Sequence, residues 1–179
     1  HKGRHNVSNA LAAAALAETV GIPLERSGAA LRDFRGVKRR LELLGCIGGV
    51  SIYDDFAHHP TAIEATLQGL RAAAAGGRIV AVIEPRSNTM RLGVHRERLP
   101  GCTRDADLVL WFQPHGVDWD IESVARASAT PSRVYQSTAV IVDALVEELR
   151  PGDRVVIMSN GGFGNSHVRL LEQLRAPAA

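Results

Sequence analysis

Three short runs of almost wholly apolar residues mark the sequence, at positions 78–83, 108–112 and 154–158. A stretch of helical character follows each run before the next one begins. A strand that is apolar on both sides must be buried on both faces, as in a parallel sheet that helices cover on each side. The alternation therefore predicts a Rossmann-like, doubly wound α/β domain with a mostly parallel sheet and helices on both faces.

The other segments fit the same alternation. Further strands are predicted at 41–44, 50–53 and 133–135, and helices at 61–75, 94–99, 121–127, 138–149 and 166–175. Two earlier helices are predicted at 6–19 and 24–34, because alanine and leucine fill them and Gly21, Pro23 and Gly36 end them. The sequence thus predicts a helical segment that precedes the sheet domain.

Composition narrows the class of protein. The chain has 179 residues, of which 45% are hydrophobic, and this is enough for one well-filled core. The net charge is only +2 and the basic residues are dispersed, so nucleic acid is not an expected partner. No apolar run reaches the roughly 18 residues of a membrane span and no signal peptide pattern is present, so we expect a cytoplasmic protein without membrane contact.

The two cysteines have no spacing typical of a zinc site. Cys46 and Cys102 are far apart in the sequence, with no second pair beside them. We expect both thiols to be reduced and buried. We predict no metal site in the chain.

A cluster of acids and imidazoles occupies residues 53–61, YDDFAHHPT. It lies between a predicted strand and a predicted helix, and ligands of open α/β sheets bind at the carboxyl ends of strands. A structural role is the alternative, in which Asp54 and Asp55 cap the helix and the histidines fill a loop. A metal site at His58 and His59 is not favoured, since adjacent side chains point in different directions.

The chain lacks a loop that would hold the phosphates of ATP. Its only lysines are Lys2 and Lys38, and neither ends a Gly-x-x-x-x-Gly-Lys-Ser/Thr motif. Residues 161–164 are glycine-rich, but His167 stands where the third glycine of a dinucleotide-binding fingerprint would fall. A phosphate-binding loop of either kind is therefore not predicted.

Several segments resemble the Mur ligases, the ATP-dependent enzymes that add amino acids or peptides to the UDP-sugar precursors of peptidoglycan. The resemblance rests on residues 3–13, GRHNVSNALAA, on residues 36–42, GVKRRLE, and on Asp55 and His58. It implies that residues 1–35 are the helical end of the central ATP-binding domain and that residues 36–179 are the Rossmann-like carboxyl-terminal domain. The phosphate-binding loop would lie in the central domain.

The resemblance implies an ATP site made of Asn6, Asn9, Arg40, Asp55 and His58. Asn6 and Asn9 are one helical turn apart and share a face, and their amides suit the edge of adenine. A planar guanidinium suits a polyphosphate, and a carboxylate can accept both ribose hydroxyls. The alternative for the two asparagines is a helix cap and a surface amide.

Neighbours of these residues are expected to serve other purposes. Lys38 and Arg39 are expected to be solvated, and Asp54 to be structural. No role is predicted for His59, and no residue of the chain is assigned to catalysis. The resemblance implies ATP and magnesium as cofactors, bound mainly by the central domain.

Two further segments resemble the branch of the family that recycles peptidoglycan peptides, namely residues 84–93, EPRSNTMRLG, and residues 158–164, MSNGGFG. The predicted peptide site consists of Arg86, Ser87, Asn88, Thr89, Ser159, Asn160, Gly161 and Gly162. Both loops follow predicted strands, and an arginine beside hydroxyl and amide groups suits a peptide that carries several carboxylates. A glycine-rich turn and a solvated loop are the alternative.

The resemblance implies a ligase that joins UDP-N-acetylmuramate to the tripeptide L-Ala-γ-D-Glu-meso-diaminopimelate. The chain would contact the central and amino-terminal domains of the whole enzyme, and we predict that it is inactive alone. Two alternatives remain: a ligase that adds free L-alanine to UDP-N-acetylmuramate, and a Rossmann-like nucleotide-binding module without catalytic activity.

Overall fold

The structure is a computed structural model that describes residues 4–34, 36–73 and 76–176. Its centre is a six-stranded sheet with the strand order β1-β2-β6-β3-β4-β5. The strands are β1 (Glu42–Ile47), β2 (Val50–Asp55), β3 (Ile79–Ile83), β4 (Leu108–Phe112), β5 (Ser132–Tyr135) and β6 (Arg154–Met158). The helices are α1 (Arg4–Thr19), α2 (Leu24–Asp33), α3 (Pro60–Ala72), α4 (Asn88–Arg91), α5 (Leu99–Cys102), α6 (Ile121–Ala127), α7 (Thr138–Glu148) and α8 (Ser166–Arg175).

Five of the six strands run parallel. β1 alone is antiparallel, and it pairs with β2 through a hairpin whose register shifts between Leu43 and Gly45. The remaining pairs, β2 with β6, β6 with β3, β3 with β4 and β4 with β5, are all parallel. The predicted doubly wound, mostly parallel sheet is confirmed.

Helices cover both faces of the sheet. Successive strand residues point to opposite sides, so each face presents its own set of apolar side chains to the helices that cover it. On one face Ala81 and Met158 pack in a core with residues of α3, α5 and α6. On the other face Val82 and Ile157 pack with residues of α7 and α8. This double cover explains why the three apolar runs lack the alternation of a strand with one wet face.

One predicted helix is wrong. In place of a helix at 94–99, the chain forms α4, a short 3-10 helix at Arg96–Arg98, and α5. Ser87 starts α4 by accepting a hydrogen bond from Met90 N at 3.4 Å, and Pro100 lies in the first turn of α5. The predicted helix at 61–75 is α3, and residues 74 and 75 lie outside the described part of the chain.

The cysteines differ in environment. Cys102 is buried, as predicted, but Cys46 is exposed. Cys46 belongs to β1, which has only β2 as a neighbour and so is one of the two edge strands of the sheet. The prediction that both thiols are buried is therefore wrong for Cys46.

Helices α1 and α2, which precede the sheet domain in the sequence, form a helical hairpin. Gly21 turns the chain between them with a φ of +82°, which favours glycine. Among the side chains described there, Ala14 and Ser27 are buried, whereas several large apolar ones are exposed, namely Val7, Leu11, Leu16, Val20, Ile22, Leu24 and Phe34. Residues 1–3 and 35 of the predicted helical segment lie outside the described residues. Within the described part of the chain, no helix has the length and apolar character needed to cross a membrane.

Candidate functional site

Three neighbouring parallel strands end side by side at one edge of the sheet. Asp55, the last residue of β2, is paired with Met158 of β6, and Met158 is paired with Ile83 of β3. The loops that begin with Phe56, Ser159 and Glu84 therefore leave the sheet at the same edge. The acid cluster and the two predicted peptide loops therefore lie at one edge of the sheet.

Asp55 is part of the framework of this edge. Its carboxylate accepts hydrogen bonds from Leu41 N at 2.6 Å, from Ala57 N at 2.7 Å and from Thr66 Oγ1 at 3.3 Å. Burial raises the pKa of Asp55 above its usual range, while the two backbone hydrogen bonds oppose the rise. Asp55 therefore holds the segment before β1 and the turn after β2 together.

The proposed capping role of the acids is wrong, because His59 caps α3. The ring nitrogen Nδ1 of His59 accepts a hydrogen bond from Thr61 N at 3.3 Å. The ring also meets that of His95 edge to face, with centroids 4.4 Å apart. Burial lowers the pKa of His59, and the charges of His95 and Arg98 lower it further.

A cavity of about 500 Å³ opens between the helical hairpin and the sheet domain. Four of the five residues predicted to bind ATP line it: Asn6, Asn9, Arg40 and Asp55. The rest of the lining is mainly apolar, from Ala10, Ala13, Leu31, Phe34, Val37, Leu41, Ala62, Ala65 and Thr66. This volume and this mixture of apolar walls with few polar groups are typical of small-ligand sites.

His58 does not line the cavity. Its Nδ1 lies 2.9 Å from the carbonyl oxygen of Phe56, and its ring contacts the Phe56 ring edge to face at 5.5 Å. The local turn after β2 therefore fixes the imidazole. Among the five residues predicted to bind ATP, His58 is thus the one outside the cavity lining.

Arg39 was expected to be solvated, but its guanidinium instead forms several hydrogen bonds to protein atoms. Nε donates to Asp54 Oδ2 at 3.1 Å, and Nη2 donates to the carbonyl oxygens of Ser159 at 2.6 Å and Gly161 at 2.9 Å. These partners are 15, 120 and 122 residues away in the sequence, so no local pattern could reveal them. Asp54 has the structural role that was predicted for it.

The two predicted peptide loops pack against each other. A Cβ atom added to Gly161 would overlap the guanidinium of Arg86 and lie 2.6 Å from its Cζ atom. Only a residue without a side chain lets Arg86 lie this close to the backbone. Ser159 Oγ donates to the buried carboxylate of Glu84 and accepts from Gly161 N at 2.9 Å. Glu84, to which no role was assigned from the sequence, thus stabilises the loop by accepting the hydrogen bond of Ser159.

The remaining loop residues have distinct environments. Ser87 caps α4 and its Oγ lies 3.4 Å from Thr89 Oγ1, while Asn88 is exposed at the start of that helix. Asn160 Oδ1 is buried, and no hydrogen bond to it is formed by the described residues. Gly162 is exposed, with open space where a Cβ would lie.

These features combine two kinds of site at one sheet edge. The cavity offers amides, a carboxylate and one guanidinium around an apolar space of ligand size. The loops offer the exposed guanidinium of Arg86. Among the described residues, no group of three or more His, Cys, Asp and Glu side chains is placed to hold a metal ion.

Residues 39–161 match the protein family described as Mur ligase, glutamate ligase domain. A UDP-N-acetylmuramate–L-alanyl-γ-D-glutamyl-meso-2,6-diaminoheptandioate ligase from Escherichia coli K12 is 44% identical over 177 residues, covering 98% of this chain and 39% of that protein. A UDP-N-acetylmuramate–L-alanine ligase from Pelotomaculum thermopropionicum is 36% identical over 183 residues, covering 97% of this chain and 39% of that protein.

The crystal structure of a murein peptide ligase from Psychrobacter arcticus is similar over the whole chain. The TM-score is 0.79 at 41% identity, and the match covers 100% of this chain and 38% of that one. This chain therefore spans about two fifths of the length of the relatives that it matches.

Proposed function

This chain belongs to the Mur ligase family, and from that premise we propose that it is the peptide-binding, carboxyl-terminal part of an ATP-dependent ligase. The reaction joins UDP-N-acetylmuramate to L-Ala-γ-D-Glu-meso-diaminopimelate with formation of ADP, in peptidoglycan recycling. The 44% identity to a ligase named for that peptide, against 36% for one named for L-alanine, supports this choice of substrate. Since ATP and UDP-linked sugars are cytoplasmic compounds, we also propose a cytoplasmic location.

The observation that carries the proposal is the contact of Arg86 with Gly161 at the sheet edge that also borders the cavity. The exposed guanidinium can bind a carboxylate of the peptide in two parallel hydrogen bonds. The role of this part of the enzyme is to bind and orient the peptide.

The cavity fits the nucleoside part of ATP. Its amides, Asn6 and Asn9, can pair with the adenine edge, and Arg40 is the cationic residue in its lining. Asp55 already accepts three hydrogen bonds, and a carboxylate has about four lone-pair positions, so one remains for a ribose hydroxyl. His58 is left with at most an indirect role through the turn that it holds.

Magnesium does not fit the described residues, because they contain no cluster of metal ligands. We therefore assign the metal and the triphosphate to the central domain of the whole ligase. Helices α1 and α2, whose exposed apolar side chains suit a domain contact, are proposed as the end of that domain, so that the boundary lies near residue 35. The start of the family match at residue 39 supports this boundary.

The proposal is tested by measuring ADP release by the full-length ligase with UDP-N-acetylmuramate and either the tripeptide or L-alanine. We expect turnover with the tripeptide and little with L-alanine. Arg86→Ala should raise the KM for the tripeptide by about 10- to 100-fold with little change for ATP, since a hydrogen bond to a charged group is lost. Arg126→Ala, which removes an exposed arginine from a surface ion pair, is the matched control and should change neither value.

Other outcomes would replace the proposal. A preference for L-alanine would make the protein an L-alanine-adding ligase. Nucleotide binding without turnover of either substrate would make it a nucleotide-binding module. Turnover by the isolated 179-residue chain would contradict its assignment as a part of the enzyme without the phosphate site.

A further inference from the structure

Arg39 connects the cavity side of the site to the peptide side. Its side chain bonds Asp54 at the end of β2 and the carbonyl oxygens of Ser159 and Gly161 beyond β6. Its backbone is fixed as well, because its N–H donates to Glu42 Oε2 at 2.8 Å and its carbonyl accepts from Phe56 N at 2.8 Å. One residue thus joins the segment before β1 to two loops at the sheet edge.

The segment around Arg39 is held in an uncommon backbone conformation. Arg39 and Leu41 have φ angles of 58° and 50°, in the left-handed region that non-glycine residues rarely adopt. Leu41 N is bonded to Asp55, and Arg40, between them, lines the cavity. Contacts at both ends of this three-residue segment therefore determine where the Arg40 side chain lies.

The segment reaches the peptide loop through a continuous series of contacts. Asp55 and Arg40 line the cavity, Arg39 bonds the Gly161 carbonyl, and Gly161 lies against the guanidinium of Arg86. A ligand that shifts residues 39–41 must shift the hydrogen bonds of Arg39 with them. The loop from Ser159 to Gly162 would respond.

Resting on the proposed function, we infer that Arg39 is a positioning residue that couples nucleotide binding in the cavity to the conformation of the peptide-binding loop 159–162. Arg39 need not touch either substrate. Its three side-chain hydrogen bonds fix the conformation of the loop, and the neighbouring Arg40 and Asp55 contact the nucleotide. Binding of the two substrates is thereby cooperative, and each raises the affinity for the other by the same factor.

Hydrogen exchange in the full-length ligase tests the coupling without requiring turnover. ATP should slow the exchange of the amides of residues 160–162 in the wild type, by about fivefold or more. Arg39→Gln should abolish this response, because it cannot bond Asp54 and both carbonyls. Arg39→Lys, which keeps the charge but offers a single ammonium, should retain part of it.

Arg78 provides a matched control at the opposite edge of the sheet. It also bonds an aspartate, Asp153, and a backbone carbonyl, that of Glu148, and its side chain is 27% exposed against 33% for Arg39. Arg78→Gln should leave the ATP response of the loop intact. The inference is overturned if ATP leaves loop exchange unchanged in the wild type, if Arg39→Gln keeps the response, or if Arg78→Gln also removes it.

Steady-state kinetics with the tripeptide provide a second test, which distinguishes a failure of this inference from a failure of the proposed function. With ATP saturating, Arg39→Gln should raise the KM for the tripeptide by about tenfold or more and alter kcat less. A uniform fall in kcat that Arg78→Gln shares would indicate a merely structural role and overturn the inference. If the wild type does not use the tripeptide at all, the proposed function fails, while the ATP response of the loop still decides the role of Arg39.

Discussion

Replacing Asp55 with alanine is expected to destabilise the fold, in addition to weakening nucleotide binding. The residue is 3% exposed, and its carboxylate is the acceptor for Leu41 N and Ala57 N. Alanine would leave both amides without this acceptor. A buried donor without a partner costs about 1 to 3 kcal/mol, so the free energy of unfolding should fall by about 2 to 6 kcal/mol.

Equilibrium unfolding in urea measures this loss, with the fluorescence of the fully buried Trp111 and circular dichroism as independent probes. Asp120→Ala is the control, because it removes one ion pair, to Arg126, in which both side chains are more than half exposed. That change should cost no more than about 1 kcal/mol. If Asp55→Ala costs less than about 1 kcal/mol, or no more than the control, the backbone amides do not depend on Asp55 and the reasoning is refuted.

Three further predictions concern pH, thiol chemistry and the cavity. Burial raises the pKa of Asp55, so its stabilising contribution is fully present below the ordinary value of 3.8 and is lost as the pH rises through the higher folded value. The wild type should therefore lose stability relative to Asp55→Asn as the pH rises above 3.8, and a stability difference in urea that does not change with pH would contradict this. Burial raises the pKa of the Cys102 thiol to about 12, whereas Cys46 is exposed. A thiol reagent should therefore modify only Cys46 in the native chain and both cysteines in urea. Rapid modification of Cys102 in the native chain would contradict its burial. Ala65→Leu should fill part of the cavity and raise the Kd of the full-length ligase for ATP by about tenfold or more. The control is Gln68→Leu, at an exposed position of α3, which should leave this Kd unchanged. Equal effects of the two substitutions would show that ATP binds elsewhere.

The sheet could be predicted from the sequence because its strands are buried on both faces. Such strands leave continuous apolar runs, and β4 and β6 have the predicted bounds. β2 extends two residues further than predicted, so that Asp54 and Asp55 belong to the strand itself. Polar residues at a strand end are ambiguous by pattern, and here the hydrogen bonds of the ladder decide.

The segment between β3 and β4 shows the limit of local patterns. Its helices are only four residues long, too short for a periodic apolar face to be recognised. Ser87 as a cap was the available signal for α4. Trp119 then holds this helix by donating from Nε1 to Met90 O at 2.8 Å, a contact over 29 residues of sequence.

The resemblance of local sequence segments to the Mur ligases pointed to Asn6, Asn9, Arg40 and Asp55. The helical period and the position after a strand, which are local properties of the chain, fit that assignment. Tertiary structure alone decided that these four share a cavity, that His58 does not line it, and that Arg39 bonds the loop beyond β6. The physical reason is that hydrogen bonds and cavities join residues up to 122 positions apart, whereas a sequence pattern reports only the neighbours on one strand or helix.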